Sequence, residues 1–343
     1  MSCSDKVALE NQRGVTSERK KTYVPLLGIS TNEEENPRVV HLKLKQAVSK
    51  GVKIIDTNYS DKCERKVKKV LRRRWKRGDA RSKYFIIAKL PMIGNTGADV
   101  SKFLHKSLKR LGLDYVDAYF IEGPVGLLGK DDNDVRPRNQ EGQPQLDMDT
   151  CLRDVWRAME KEHSKGHCKM LGLCNCNMAQ LSRIYDMARV PPAIMQLDIN
   201  AYNMCVEERE FMKSLQVTPF AIHPLGNPLH VPTEEYPWLV EHKTVRSVAE
   251  KHGVTPASIL LKFLHQQEIV SITQTNAVND VGQLFESLDD FNLRHEDMLK
   301  LTRLDQGGEA RLRNFVGLDG CQLHPEYPFT YNYMRGCLLG TRQ

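Results

Sequence analysis

Short apolar runs alternate with helix-length amphipathic stretches along nearly the whole chain, and this rhythm restricts the fold more than any other sequence feature. Apolar runs of roughly four to eight residues, spaced by helical patterns, are what parallel strands buried on both faces look like. The candidate strands are Val24–Ser30, Lys53–Thr57, Lys83–Leu90, Tyr115–Glu122, His167–Cys174, Ala193–Ile199, Val217–His223 and Ile269–Thr275. Helical patterns fall at 37–50, 62–77, 98–111, 150–166, 178–189, 206–215, 242–252, 255–266 and 279–288. Eight strand–helix units predict an α/β protein built as a single (β/α)8 TIM barrel. A doubly wound sheet is the weaker alternative, because no G-x-G-x-x-G follows the first strand. The expected division is a flexible leader at 1–21, the barrel at 22–333 and a short tail at 334–343.

With 40 % hydrophobic residues the chain can fill such a core. No apolar run approaches the ~20 residues of a membrane span. Met1 to Lys20 is polar and charged, without the apolar stretch of a secretory signal. Nine scattered cysteines, an odd number with no C-x-x-C pair, predict reduced thiols in a cytoplasmic protein. Oligomeric state is not written in these features; a monomer is the default expectation.

The formal charge of +7 is uneven. Lys62, Arg65, Lys66, Lys68, Lys69, Arg72, Arg73, Arg74, Lys76 and Arg77 share one helical segment whose single acid is Glu64. Val67, Val70, Leu71 and Trp75 recur at helical spacing and predict one buried face. A solvated outer helix is the plain reading; a surface for anionic partners is the other. Nucleic acid is not the expected partner.

Three strands end in groups suited to proton chemistry: Asp56, Lys89 and Glu122. The reaction face of a barrel is at the carboxyl ends of its strands, so these three are expected to converge there. Cys174 and Cys176 alternate at another strand end, but no nearby histidine completes a zinc set. His223 reads as a satisfied polar residue, and Trp156 as the core anchor of an amphipathic helix.

At these residues the chain resembles the aldo-keto reductases, and within them the vertebrate steroid and prostaglandin branch. The matching stretches include Val24-Pro25-Leu26-Leu27-Gly28, Ile55-Asp56-Thr57, the run from Ser107 to Asp117, Trp156-Arg157-Ala158-Met159-Glu160, Pro224-Leu225-Gly226 and His324-Pro325-Glu326-Tyr327-Pro328-Phe329. The resemblance implies a TIM barrel, NADP(H) as cofactor, and reduction of a small hydrophobic carbonyl or steroid. It places the family's catalytic Asp and Lys on Asp56 and Lys89. The tetrad Tyr falls on Asp61, with Tyr59 at a non-catalytic aromatic position. The tetrad His falls on Glu122, an exchange that resembles the steroid 5β-reductases.

The resemblance also assigns cofactor-binding positions: Thr31, Asp56, Asn175, Gln196, Leu225, Gly226, Gln274 and Thr275. Several depart from the family pattern. Cys174 replaces a Ser, Ile222 replaces the Tyr that stacks on the nicotinamide, Gln274 replaces a Lys, Asp280 an Arg and Leu284 an Asn. Two lost charge-assisted hydrogen bonds cost roughly 3–6 kcal/mol, or about 10²–10⁴ in affinity. NADH escapes the 2′-phosphate penalty, since an acid accepts from a ribose hydroxyl. An aspartate in the phenol's place is an anion at neutral pH and a poor proton donor, unless burial beside Glu122 raises its pKa. The leading expectation is a pseudoenzyme or very weak NADP(H)-dependent carbonyl or steroid reductase. Its alternatives are an active NAD(P)H-dependent oxidoreductase and an interaction protein that uses the basic helix.

Overall fold

The computed structural model describes residues 6–9, 22–31, 36–59, 61–226, 232–274, 288, 290–307 and 320–329, with backbone only at residues 22, 61 and 62. Its centre is a closed barrel of eight parallel strands, each followed along the chain by helix or loop on the outside. The barrel strands are β3 (Leu27–Ser30), β4 (Ile54–Asp56), β5 (Phe85–Leu90), β6 (Val116–Ile121), β7 (Cys168–Cys174), β8 (Ile194–Asp198), β9 (Thr218–Ile222) and β10 (Val270–Gln274). Strand β10 closes the ring on β3, pairing Gln274 with Ser30. The expected TIM barrel is the fold found.

Strand phase decides what fills the lumen. Successive side chains on a strand point to opposite faces. Ile54, Phe85, Ile87, Ala118, Phe120, Met170, Ile194, Phe220, Val270 and Ile272 form one buried cluster inside the barrel. The intervening residues Ile55, Ile86, Ala88, Tyr119, Leu171 and Leu173 pack outward beneath the helices. Glycines sit where the lumen is too crowded for a side chain. A Cβ on Gly172 would lie 2.4 Å from the Phe120 ring, and one on Gly28 would lie 2.6 Å from Ile272.

The outer layer comprises α1 (Pro37–Ser49), α2 (Asp61–Trp75), α3 (Val100–Leu111), α4 (Leu152–Ser164), α5 (Met178–Met187), α6 (Val206–Ser214), α7 (Lys243–His252), α8 (Pro256–His265) and α9 (His295–Thr302). Local chemistry starts them where it should. Asn36 caps α1 by accepting from the Arg38 amide at 2.9 Å, with Pro37 at the first helical position. Thr255 and Pro256 open α8 in the same way. As expected, Trp156 is a core anchor: it is fully buried in α4, and its indole N–H donates to the Val190 carbonyl at 3.1 Å.

Three features differ from the sequence-based expectation. The run Val24–Ser30 is two elements, because β2 (Thr22–Pro25) leaves the barrel and pairs antiparallel with β1 (Lys6–Leu9). Within the expected leader 1–21, residues 6–9 are therefore a strand. Leu9 and Val24 join the lumen cluster and plug its amino-terminal end, and burying that apolar surface holds the hairpin in place. Helix α9 was not foreseen; its buried Asp297 is gripped by Lys251 at 2.8 Å and His252 at 2.9 Å on α7. The helix expected at 279–288 lies outside the described residues except Leu288.

A carboxyl-terminal segment, 320–329, folds back onto α5. Asn177 caps α5 in a reciprocal box with Gln180, and its amide also donates to the Pro328 carbonyl at 2.8 Å. Gln180 donates to the Glu326 carbonyl at 2.9 Å, and Arg183 pairs with the Glu326 carboxylate at 2.5 Å. Asn177→Ala should lower stability by about 1–2 kcal/mol through the lost cap. Amide exchange across 320–329 should rise in parallel in a native-state exchange measurement. Unchanged exchange there would mean that the remaining contacts, including those of Gln180 and Arg183 with Glu326, suffice to hold the segment.

Candidate active site

The strand phase that fills the lumen carries one further residue per strand to the barrel's carboxyl-terminal mouth. These are Ser30, Asp56, Lys89, Glu122, Cys174, Gln196, Ile222 and Gln274, each two positions beyond a lumen-facing residue. Asp56, Lys89 and Glu122 thus share one ring, as their strand-end positions predicted. The ring holds two acids and one base.

Lys89 donates to Asp56 Oδ2 at 2.8 Å, and both side chains are almost fully buried. Gln196 donates to the same oxygen at 3.3 Å. Burial alone would drive the Lys89 pKa down. The Asp56 charge and hydrogen bond, with smaller contributions from Cys174 and Glu122, outweigh it and hold the pKa above the ordinary lysine value. Lys89 is therefore a fixed cation at neutral pH, not a proton source. Burial likewise raises the Cys174 thiol to about 12, against the opposing pull of Lys89, so it stays neutral and unreactive.

Backbone geometry fixes the surrounding groups. The Glu122 amide donates to the Leu90 carbonyl at 3.1 Å, just past the end of β6. Asn175 follows β7 at φ 57°, in the left-handed region that asparagine tolerates better than most residues. Its side-chain amide donates to the Glu122 carbonyl at 3.4 Å. Buried Thr31 donates its amide to the Asp56 carbonyl at 3.0 Å, and Asn58 clasps it by donating to its carbonyl at 3.1 Å. Leu225 and Gly226 follow β9, where the Gly226 amide is engaged with the His223 carbonyl at 2.9 Å. Gln274 ends β10, while Thr275, Asp280 and Leu284 lie outside the described residues.

The tyrosine question turns on residues 59 and 61. Tyr59 is buried in the layer between barrel and helices, edge-on to Phe103 at 5.0 Å and beneath the Arg110 guanidinium at 4.5 Å. Burial raises its pKa to about 12, against the pull of the nearby Arg110. The charges it senses are Arg110, Glu64 and Asp132, none of them at the mouth. Asp61 opens α2, and its side chain lies outside the described residues. Among the described residues no phenol touches Lys89.

Among the described residues, two buried acceptors at the mouth are unmatched: Asp56 Oδ1 and Gln196 Oε1. A fully buried, unpaired amide oxygen costs about 1–3 kcal/mol, so Gln196 is set to accept from an incoming N–H donor such as a carboxamide. The residues at this end thus suit the nicotinamide amide. Sequence reasoning missed Asn58, and His223, expected to be satisfied, instead has a buried Nδ1 with no hydrogen-bond partner among the described residues, 3.6 Å from Asp198. Both join loops far apart in sequence, and neither carries a local pattern.

The comparisons with known proteins agree with this architecture. The profile of the Aldo/keto reductase family matches residues 27–306. Aldo-keto reductase family 1 member A1 of Cricetulus griseus is 30 % identical over 325 residues, covering 90 % of this chain and 96 % of that protein. Aldose reductase B of Dictyostelium discoideum is 27 % identical, covering 88 % and 94 %. In three dimensions the aldose reductase from Schistosoma japonicum superposes with a TM-score of 0.79 at 29 % identity, covering 91 % of this chain and 97 % of that one.

Proposed function

The chain belongs to the aldo/keto reductase family, and on that premise we propose that it is a pseudoenzyme or very slow reductase that binds NADP(H) weakly. The observation that carries this reading is Lys89 locked onto Asp56 while Tyr59 is turned away from it into the helical layer. In a working site of this family a phenol beside the lysine hands a proton to the developing oxyanion. Without a positioned acid the rate falls by about 10²–10⁴.

NADP(H), when bound, supplies the hydride. Gln196 Oε1 and the Asn175 amide would hold its carboxamide. Lys89 contributes a positive field beneath the reacting carbonyl but, with its raised pKa, gives up no proton near pH 7. Glu122 and Asp56 oppose any further negative charge at the mouth. Ile222, in place of an aromatic, offers apolar contact without ring stacking. The ligand class this supports is a small hydrophobic carbonyl or steroid, in a monomeric cytoplasmic protein.

Titrating NADPH against the fluorescence of the three tryptophans should give a Kd above ~1 μM, with no single-turnover reduction of a test ketosteroid. Submicromolar binding followed by rapid reduction would instead establish an active oxidoreductase.

One surface favours a second, independent role. On the adjacent helices α1 and α2 and in the turn after α2, the exposed cations Lys45, Lys69, Arg72, Lys76 and Arg77 have no acid partner among the described residues. Burial, then Arg73, Lys66 and Lys69, hold the His41 pKa below the ordinary histidine value, which reports the local positive potential. Neutralising Arg72, Arg73 and Lys76 to Gln should shift elution from heparin to lower salt and leave the melting temperature within about 1–2 °C. Unshifted elution would assign these charges to solvation only.

A further inference from the structure

At the opposite end of the barrel from Asp56 and Lys89, three side chains from separate elements meet over a buried carboxylate. Glu162, near the end of α4, is buried, with its side chain only 2 % exposed. His167, in the turn just before β7, places Nδ1 2.7 Å from Glu162 Oε2. His105, on α3, places Nδ1 4.0 Å from the same oxygen. The two imidazole rings stand edge to face with centroids 4.6 Å apart. One donor atom from each residue fits within a 4.8 Å span. We propose that His105, Glu162 and His167 form a binding site for a single divalent transition-metal ion, Zn²⁺ or a close analogue, that clips α3 to the α4–β7 turn.

The donor set selects the metal. Two imidazoles and one carboxylate suit Zn²⁺ and its first-row neighbours, whereas Mg²⁺ and Ca²⁺ favour all-oxygen shells. A tetrahedral ion with ligands at about 2.0–2.1 Å needs donors roughly 3.3 Å apart. The present separations of 2.7 and 4.0 Å bracket that value. The required shifts are below 1 Å or so, and the imidazoles are free to make them, since the His105 side chain is half-exposed and that of His167 partly exposed. A water would complete the shell as fourth ligand.

Three existing contacts oppose loading. Lys165 pairs with Glu162 Oε1 at 2.7 Å, and His105 Nδ1 lies 2.7 Å from the Ser101 carbonyl and 3.3 Å from its hydroxyl. The ion takes the place of the proton between His167 Nδ1 and Glu162; a neutral ring then carries that proton on Nε2, with water as the carrier, and stays a neutral ligand. His105 joins either by giving up Ser101 or by turning its ring to offer Nε2. The Lys165 side chain is 55 % exposed and swings into water. Because neutral imidazole is the ligand, protons compete with the ion for the site.

The test is a Zn²⁺ titration of the full chain by calorimetry, with Co²⁺ as spectroscopic probe. One ion should bind with low-micromolar affinity. At about a hundredfold excess over Kd, the melting temperature should rise by a few degrees, and EDTA should reverse it. His105→Gln with His167→Gln should weaken binding by roughly two orders of magnitude while the metal-free melting temperature is retained. Lys165→Ala, which removes a competing cation, should tighten it. Bound Co²⁺ should show weak visible bands without the strong near-ultraviolet charge transfer of thiolate ligation. Absence of 1:1 binding up to 100 μM or so, undiminished binding in the double variant, or thiolate bands from any of the nine cysteines would each overturn the proposal.

Discussion

Asp61→Tyr combined with Gln274→Lys and Asp280→Arg should raise NADPH-dependent reduction of a ketosteroid by at least about 10²-fold over the unaltered chain. The three changes act on separate costs. The tyrosine restores a hydroxyl whose proton Lys89, a fixed cation paired with Asp56, can make labile. Lysine and arginine return the two charge-assisted contacts to a 2′-phosphate, worth roughly 3–6 kcal/mol together. Single-turnover rates should respond to Asp61→Tyr, and NADPH affinity to the other two. The pair without Asp61→Tyr should bind cofactor tightly yet remain slow, which separates the two losses. If the triple variant binds NADPH submicromolarly and still turns over no faster, the missing phenol is not what limits this site.

Asp56→Ala should destabilise the fold by about 3–5 kcal/mol, measured by urea unfolding. The cost is not the worth of the ion pair but the consequence of breaking it: the Lys89 ammonium would remain buried in the barrel without its paired carboxylate. Asp56→Leu with Lys89→Met, which removes both charges, should recover most of the loss. If the double variant is as unstable as the single one, packing and not charge is responsible. The pH dependence follows from the raised Lys89 pKa. A group raised in the folded state contributes fully below its unfolded value of 10.5 and loses that contribution only as pH climbs past the folded value. Stability from this group should therefore be flat between pH 6 and 9 and decline only in the alkaline range.

Periodicity made the barrel legible. Residues such as Phe85 to Lys89 alternate so regularly that their inward and outward faces follow from strand phase alone. Knowing that strands end at one reaction face, the convergence of Asp56, Lys89 and Glu122 followed too. The hairpin was not legible, because Val24 and Pro25 run without interruption into Leu26 and Leu27, and nothing local marks where the chain leaves one sheet for another. Helix α9 was hidden for a similar reason: its anchor is a long-range grip on Asp297 by Lys251 and His252.

The order of residues by itself determined the eightfold alternation and the polar groups at the strand ends. Tertiary structure alone decided which way Tyr59 faces, that Gln196 is left with an unmatched acceptor, and that His105, Glu162 and His167 meet. The division has a physical cause. Strand phase is a property of neighbours along the chain, whereas the partners of a buried polar side chain are set by which distant segments the core packs beside it.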